Sequence, residues 1–196
     1  MRKRQFLAVT AATAAGLLPA TSPAVTSKAV SGQVLLTVGG SISKGNRGPV
    51  DSMLDQLMVR HGVKFSSARA FASETLQRLP SIEIRPTLEY DNKQHRLSGP
   101  LLTTVLSEAG VATGSPVRIG LRAIDGYNAV ISMAEIESYR MIIATHADDQ
   151  PLALGGLGPQ WAVYDADVLP AFKDKPVKER FALCPWGLYY IDVAQA

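Results

Sequence analysis

The stretch from residue 117 to residue 132 constrains the fold more than any other. Val117 to Ala123 is β-prone, Asp125-Gly126 is a turn signal, and Tyr127 to Ser132 is β-prone again. Two such runs joined by Asp-Gly read as an antiparallel hairpin, so the second half of the chain is committed to a sheet. Met141 to Thr145 is an apolar run of central-strand length, and Trp161 to Tyr164 and Leu188 to Val193 supply further strands. In the first half, Gln33 to Val38 is a strand closed by Gly39-Gly40. Ser81 to Arg85 alternates Ile82 and Ile84 with Glu83 and Arg85, the pattern of a half-buried strand. Thr87 to Tyr90 continues extended to a turn at Asp91-Asn92-Lys93.

Helical spacing is sparse. Val50, Met53, Leu54, Leu57 and Met58 recur at helical intervals before Gly62. Ser73 is placed to cap a short helix through Leu79. Gly99-Pro100 reads as the opening of a helix with Leu101, Leu102, Val105 and Leu106 on one face, ended by Ala109-Gly110. Ala134 to Ser138 gives one more short helix. Few helices, many short strands and no regular alternation of the two predict an α+β fold with a mixed sheet.

Residues 1–29 read as an export signal. Arg2, Lys3 and Arg4 form a charged start, Phe6 to Leu18 is apolar with small residues interspersed, and small-residue cleavage sites follow at Ser22 to Ala24 or Ser27 to Ala29. Residues 3–7, KRQFL, resemble a twin-arginine signal with lysine in place of the first arginine. General secretion and the twin-arginine route both remain open. The expectation is a periplasmic or secreted single domain over 30–196, with no stable membrane insertion after cleavage. Four of the 20 basic residues lie in the signal and none of the 17 acidic ones does, so the mature domain carries 16 against 17. A net charge of −1 removes the electrostatic basis for nucleic-acid binding.

Catalytic patterns are scarce. A single cysteine, Cys184, excludes an internal disulfide and a multi-cysteine zinc site; its apolar, aromatic context points to a buried thiol. There is no Gly-x-Ser-x-Gly elbow. Gly155 to Gly158 lacks the Gly-Lys-Ser/Thr ending of a phosphate loop. Of three histidines, His61 sits at a helix end, His95 in a polar turn expected to be solvent-exposed, and His146 after a buried strand. No catalytic or metal-ligating residue is assigned. The ligand-binding candidates are Asp125, Tyr127, His146 and Trp161, which combine aromatic faces and polar groups at strand ends and turns.

Taken in order, several segments resemble the molybdopterin-binding domain of sulfite-oxidase-type oxidoreductases. They are residues 95–102 (HRLSGPLL) followed by Val105 and Leu106, residues 123–127 (AIDGY), 141–152, 158–164 (GPQWAVY) and the terminal Trp186 to Val193. The resemblance covers residues 70–193 and implies that domain's mixed α+β fold. It also implies molybdopterin as a possible cofactor. Catalytic members bind molybdenum through a cysteine early in the domain; the corresponding region here, Ile84 to Leu97, contains none. A soft thiolate is not replaced by Thr87 or Glu89 without changing the metal's electronics. The expected function is therefore a module that binds a small ligand or an envelope protein, without molybdenum catalysis. The alternative is an active molybdopterin-dependent oxidoreductase that works with a redox partner.

Overall fold

The computed structural model describes residues 31–195; the signal-like segment 1–29 lies outside them. The largest sheet has five strands in the order β2-β1-β11-β5-β6. They are β1 (Val34–Gly40), β2 (Arg69–Ala72), β5 (Val117–Ala123), β6 (Asn128–Ser132) and β11 (Leu188–Gln195). β1 and β11 run parallel, with Thr37 opposite Tyr190, and the other pairs are antiparallel. The sheet is therefore mixed, as expected, because the first and last strands of the described chain lie side by side. A four-stranded antiparallel sheet holds β3 (Ser81–Ile84), β4 (Leu97–Pro100), β8 (His146–Ala147) and β9 (Gln150–Pro151). β7 (Ile142–Ala144) pairs with β10 (Trp161–Val163) and bridges to Leu101 at the end of β4.

The core follows from strand alternation. Leu36 and Val38 on β1, Ile119 and Leu121 on β5, and Ile191 on β11 are fully buried. Both β7 and β10 are buried throughout, which explains why they read as continuous apolar runs. Helix α3 (Leu102–Glu108) adds Leu102, Val105 and Leu106 to the same cluster. Helix α4 (Met133–Tyr139) starts on a capping box: the Glu135 N–H donates to Ser132 Oγ, and the Ser132 N–H donates back to the Glu135 carboxylate. No helix among the described residues is long and apolar enough to cross a membrane.

Several local expectations need correction. Gly99 and Pro100 end strand β4 and do not open a helix. Gly99 lies where a Cβ would collide with the Ile143 carbonyl, a close approach that only glycine permits. The helix from Val50 shrinks to α1 (Gln56–Arg60), and Met53 and Leu54 are exposed. The Asp51 carboxylate takes the N–H groups of Met53 and Leu54, which holds that segment in turns. In α2 (Ser73–Arg78) the capping position is Ala72, and Ser73 Oγ accepts from Gln77 instead. Thr87 to Tyr90 turns sooner than expected, since the Asn92 N–H already donates to the Leu88 carbonyl.

Candidate functional site

The β5–β6 turn and the entry to β11 build one cleft. Asp125 Oδ1 accepts the Tyr127 N–H at 2.9 Å, and Gly126 follows with φ of 94°, a value that favours glycine. The turn is tied sideways to the β11 entry, because the Ile124 N–H donates to the Gly187 carbonyl at 3.0 Å. Tyr127 Oη reaches across and donates to the Ala182 carbonyl at 2.6 Å. The third wall is the 87–94 loop. The Thr87 N–H and hydroxyl both donate to Asp167, whose other oxygen takes Arg180 Nη1 at 2.8 Å. The result is a cleft of about 270 Å³ among Glu89, Tyr90, Asp125, Tyr127, Lys178 and Trp186, with Phe181 and Cys184 buried at its base.

Its lining sets it apart. Tyr90, Tyr127 and Trp186, at 56%, 50% and 37% exposure, are the exposed aromatic side chains among the described residues. Every other described aromatic packs on another ring or under an Arg or Lys cation, as Tyr164 does on Phe172 and Phe71 does under Arg69. These three do neither, and all three line the one cleft. Exposed aromatic surface is costly to leave in water, and such faces usually meet a ligand or a partner.

The electrostatics are mixed. Burial, then the neighbouring Glu89 carboxylate, raises the Tyr90 hydroxyl above the ordinary tyrosine range. Burial pushes the Cys184 thiol up to about 12, so it is a protonated thiol at neutral pH. Cys184 lines the same cleft as Glu89 and Tyr90 despite a separation of some ninety residues in sequence. Even so, it does not fit a molybdenum ligand. Burial, with the Glu89 carboxylate adding to it, disfavours the thiolate more than the hydrogen bonds from the Tyr164 backbone and side chain favour it. Nor does the cleft suit a phosphorylated pterin: Glu89 and Asp125 face a single ammonium, Lys178.

The four candidates from sequence separate in space. Asp125 and Tyr127 share the cleft. His146 lies on β8 in a different depression with Thr145, Ser98 and Leu76, and its Nδ1 is 2.9 Å from Thr145 Oγ1. Trp161 is 1% exposed and donates from Nε1 to the Cys184 carbonyl at 2.7 Å, so it supports the cleft from behind. Sequence reasoning missed Glu89, Tyr90, Lys178 and Trp186 as cleft residues. Trp186 was visible only as part of the C-terminal motif. His95 is also more engaged than expected: Nδ1 meets Asp148 at 2.7 Å and Nε2 meets Asp91 at 3.1 Å. Those two carboxylates, Asp148 first, raise its pKa. His61 ends α1 as expected, and its Nδ1 pairs with Tyr189 Oη at 2.8 Å. Among the described residues no group of three or more His, Cys, Asp or Glu side chains is arranged to hold a metal ion.

No protein-family model matches the chain, and no curated protein matches it. Among solved structures, it is similar to the sulfane dehydrogenase SoxCD from Paracoccus pantotrophus, with a TM-score of 0.53 and 13% identity. The match covers 82% of this chain and 38% of that one, so this chain spans well under half the length of that protein. At such identity the likeness establishes the fold: an α+β domain with a mixed sheet, related in architecture to part of an oxidoreductase.

Proposed function

We propose that this chain is an exported small-molecule binding module, built on the scaffold of a molybdopterin-domain relative and working without molybdenum catalysis. The ligand site is the cleft between the 123–127 turn, the 87–94 loop and residues 178–186. The observation that carries this reading is the convergence of Tyr90, Tyr127 and Trp186, the unstacked aromatic faces of the described chain, on one concave surface. Aromatic walls with a few charged groups are the usual make-up of a small-ligand site. The motif series and the fold likeness support descent from an oxidoreductase domain, while the protonated Cys184 thiol and the acidic lining speak against a molybdenum-pterin centre in this cleft.

The test is native mass spectrometry with metal analysis on protein purified from its own host. We expect a non-covalent small-molecule adduct that is absent from a Tyr90→Ala/Tyr127→Ala/Trp186→Ala variant. An adduct that survives the triple substitution would place the ligand elsewhere. Stoichiometric molybdenum would overturn the reading in favour of an active oxidoreductase. Recovery of an envelope protein in place of a small molecule, lost in the same variant, would make the cleft a protein-docking site.

A further inference from the structure

Resting on the proposal that this cleft binds a small molecule, we infer that its ligand is a compact organic cation, of the quaternary-ammonium or protonated-amine class. Three independent features of the lining point the same way. The first is the aromatic set. Tyr90, Tyr127 and Trp186 line the cleft, exposed and with no other ring or protein cation packed on them, and a ring face carries the negative part of the quadrupole that attracts cations. The second is the charge. Glu89 and Asp125 outnumber Lys178, and none of the three takes part in an ion pair among the described residues. One Asp125 oxygen is used by the Tyr127 N–H, which leaves the other for the cleft. The lining is thus negative overall, with neither carboxylate paired to a cation of the protein. The third is size. A cleft of about 270 Å³ suits a small metabolite better than a nucleotide or a pterin cofactor.

Alternatives fit less well. A phosphate or a dicarboxylate would meet two carboxylates for one ammonium. A neutral aromatic ligand would use the rings but bring no opposite charge to Glu89 and Asp125 as it displaces their water. An organic cation satisfies rings and carboxylates together, and the flexible stem of Lys178 lets its ammonium swing to a carboxylate if the ligand carries one.

The experiment is a calorimetric titration of the mature protein with choline, with its neutral isostere 3,3-dimethylbutan-1-ol, and with the related anion 3,3-dimethylbutanoate. We expect choline to bind about tenfold more tightly than the isostere and the anion not to bind. A Glu89→Gln/Asp125→Asn variant should lose that preference while it keeps its melting temperature. Neither carboxylate is in an ion pair, and the amide oxygen introduced by Asp125→Asn can still accept the Tyr127 N–H. Equal binding of choline and isostere, preference for the anion, or no choline binding overturns the inference. A neutral or anionic adduct on protein from the host, lost in the triple aromatic variant, would overturn it while leaving the binding-module reading intact. Absence of both adduct and choline binding would end both.

Discussion

Replacing Tyr127 by phenylalanine removes one oxygen and leaves the ring, so it separates the two jobs assigned to this residue. The hydroxyl donates to the Ala182 carbonyl at 2.6 Å and ties the hairpin turn to the 178–186 segment. A typical net hydrogen bond contributes about 0.5–1.5 kcal/mol, and with Tyr127 half exposed the lower part of that range applies, about 0.5–1 kcal/mol. With a urea dependence of about 2 kcal/mol/M, the unfolding midpoint of Tyr127→Phe should fall by about 0.25–0.5 M at unchanged slope. Ligand affinity should change little, since the ring face remains. Tyr127→Ala removes the face as well, and at an exposed site that costs a cation about 0.5–1 kcal/mol, or about two- to fivefold in affinity beyond the phenylalanine variant. Urea unfolding followed by circular dichroism and a parallel choline titration measure both. An unchanged midpoint for Tyr127→Phe would refute the cross-cleft tie. Equal affinity loss in the two variants would refute the role of the ring.

Two further outcomes follow from charge and burial. His95 has its pKa raised above 6.5 by Asp148 and Asp91, so its protonated form stabilises the fold below that value and the contribution fades as pH rises through the raised one. The partner aspartates have lowered values, so their contribution holds above the ordinary 3.8 and is lost as pH falls through the lowered ones. The urea midpoint should therefore drop as pH rises past 6.5 and through the raised value, and His95→Gln should flatten that slope; an identical slope in the variant would dismiss the clamp. The buried Cys184 thiol, held near 12, should resist iodoacetamide in the native protein and react fully in denaturant. Stoichiometric native alkylation would contradict its burial.

Local chemistry made some of this legible in the sequence and hid the rest. The β5–β6 hairpin could be read because Asp125-Gly126 encodes its own turn and the flanking runs need no distant partner to declare themselves. β7 and β10 were readable from their apolar runs. Gly99-Pro100 misled because its strand pairing is with Ser81 and Ile82 and its tight contact is with Ile143, none of which is near in sequence. The Val50 to Met58 periodicity misled in the opposite way: the spacing is helical, yet the Asp51 turn uses the backbone N–H groups first and no core lies opposite Met53 and Leu54. Within the site, Asp125 and Tyr127 could be found because they are neighbours in one turn. Glu89, Tyr90, Lys178 and Trp186 could not, because three segments up to ninety-seven residues apart meet only through the sheet order and the Thr87–Asp167–Arg180 tie. The same distance hid the link between His95 and Asp148, and made Cys184 look remote from the 84–97 region whose Glu89 and Tyr90 share its cleft.

The central claim is that the aromatic cleft is where this protein meets a small molecule. Titrating isotope-labelled mature protein with a metabolite extract of its host, and following backbone amide shifts, tests it most directly. Saturable shifts at residues 89–90, 123–127 and 178–187, absent in the triple aromatic variant, are the predicted result. Shifts centred instead on Ser98, Thr145 and His146, or no saturable shifts at all, would contradict it.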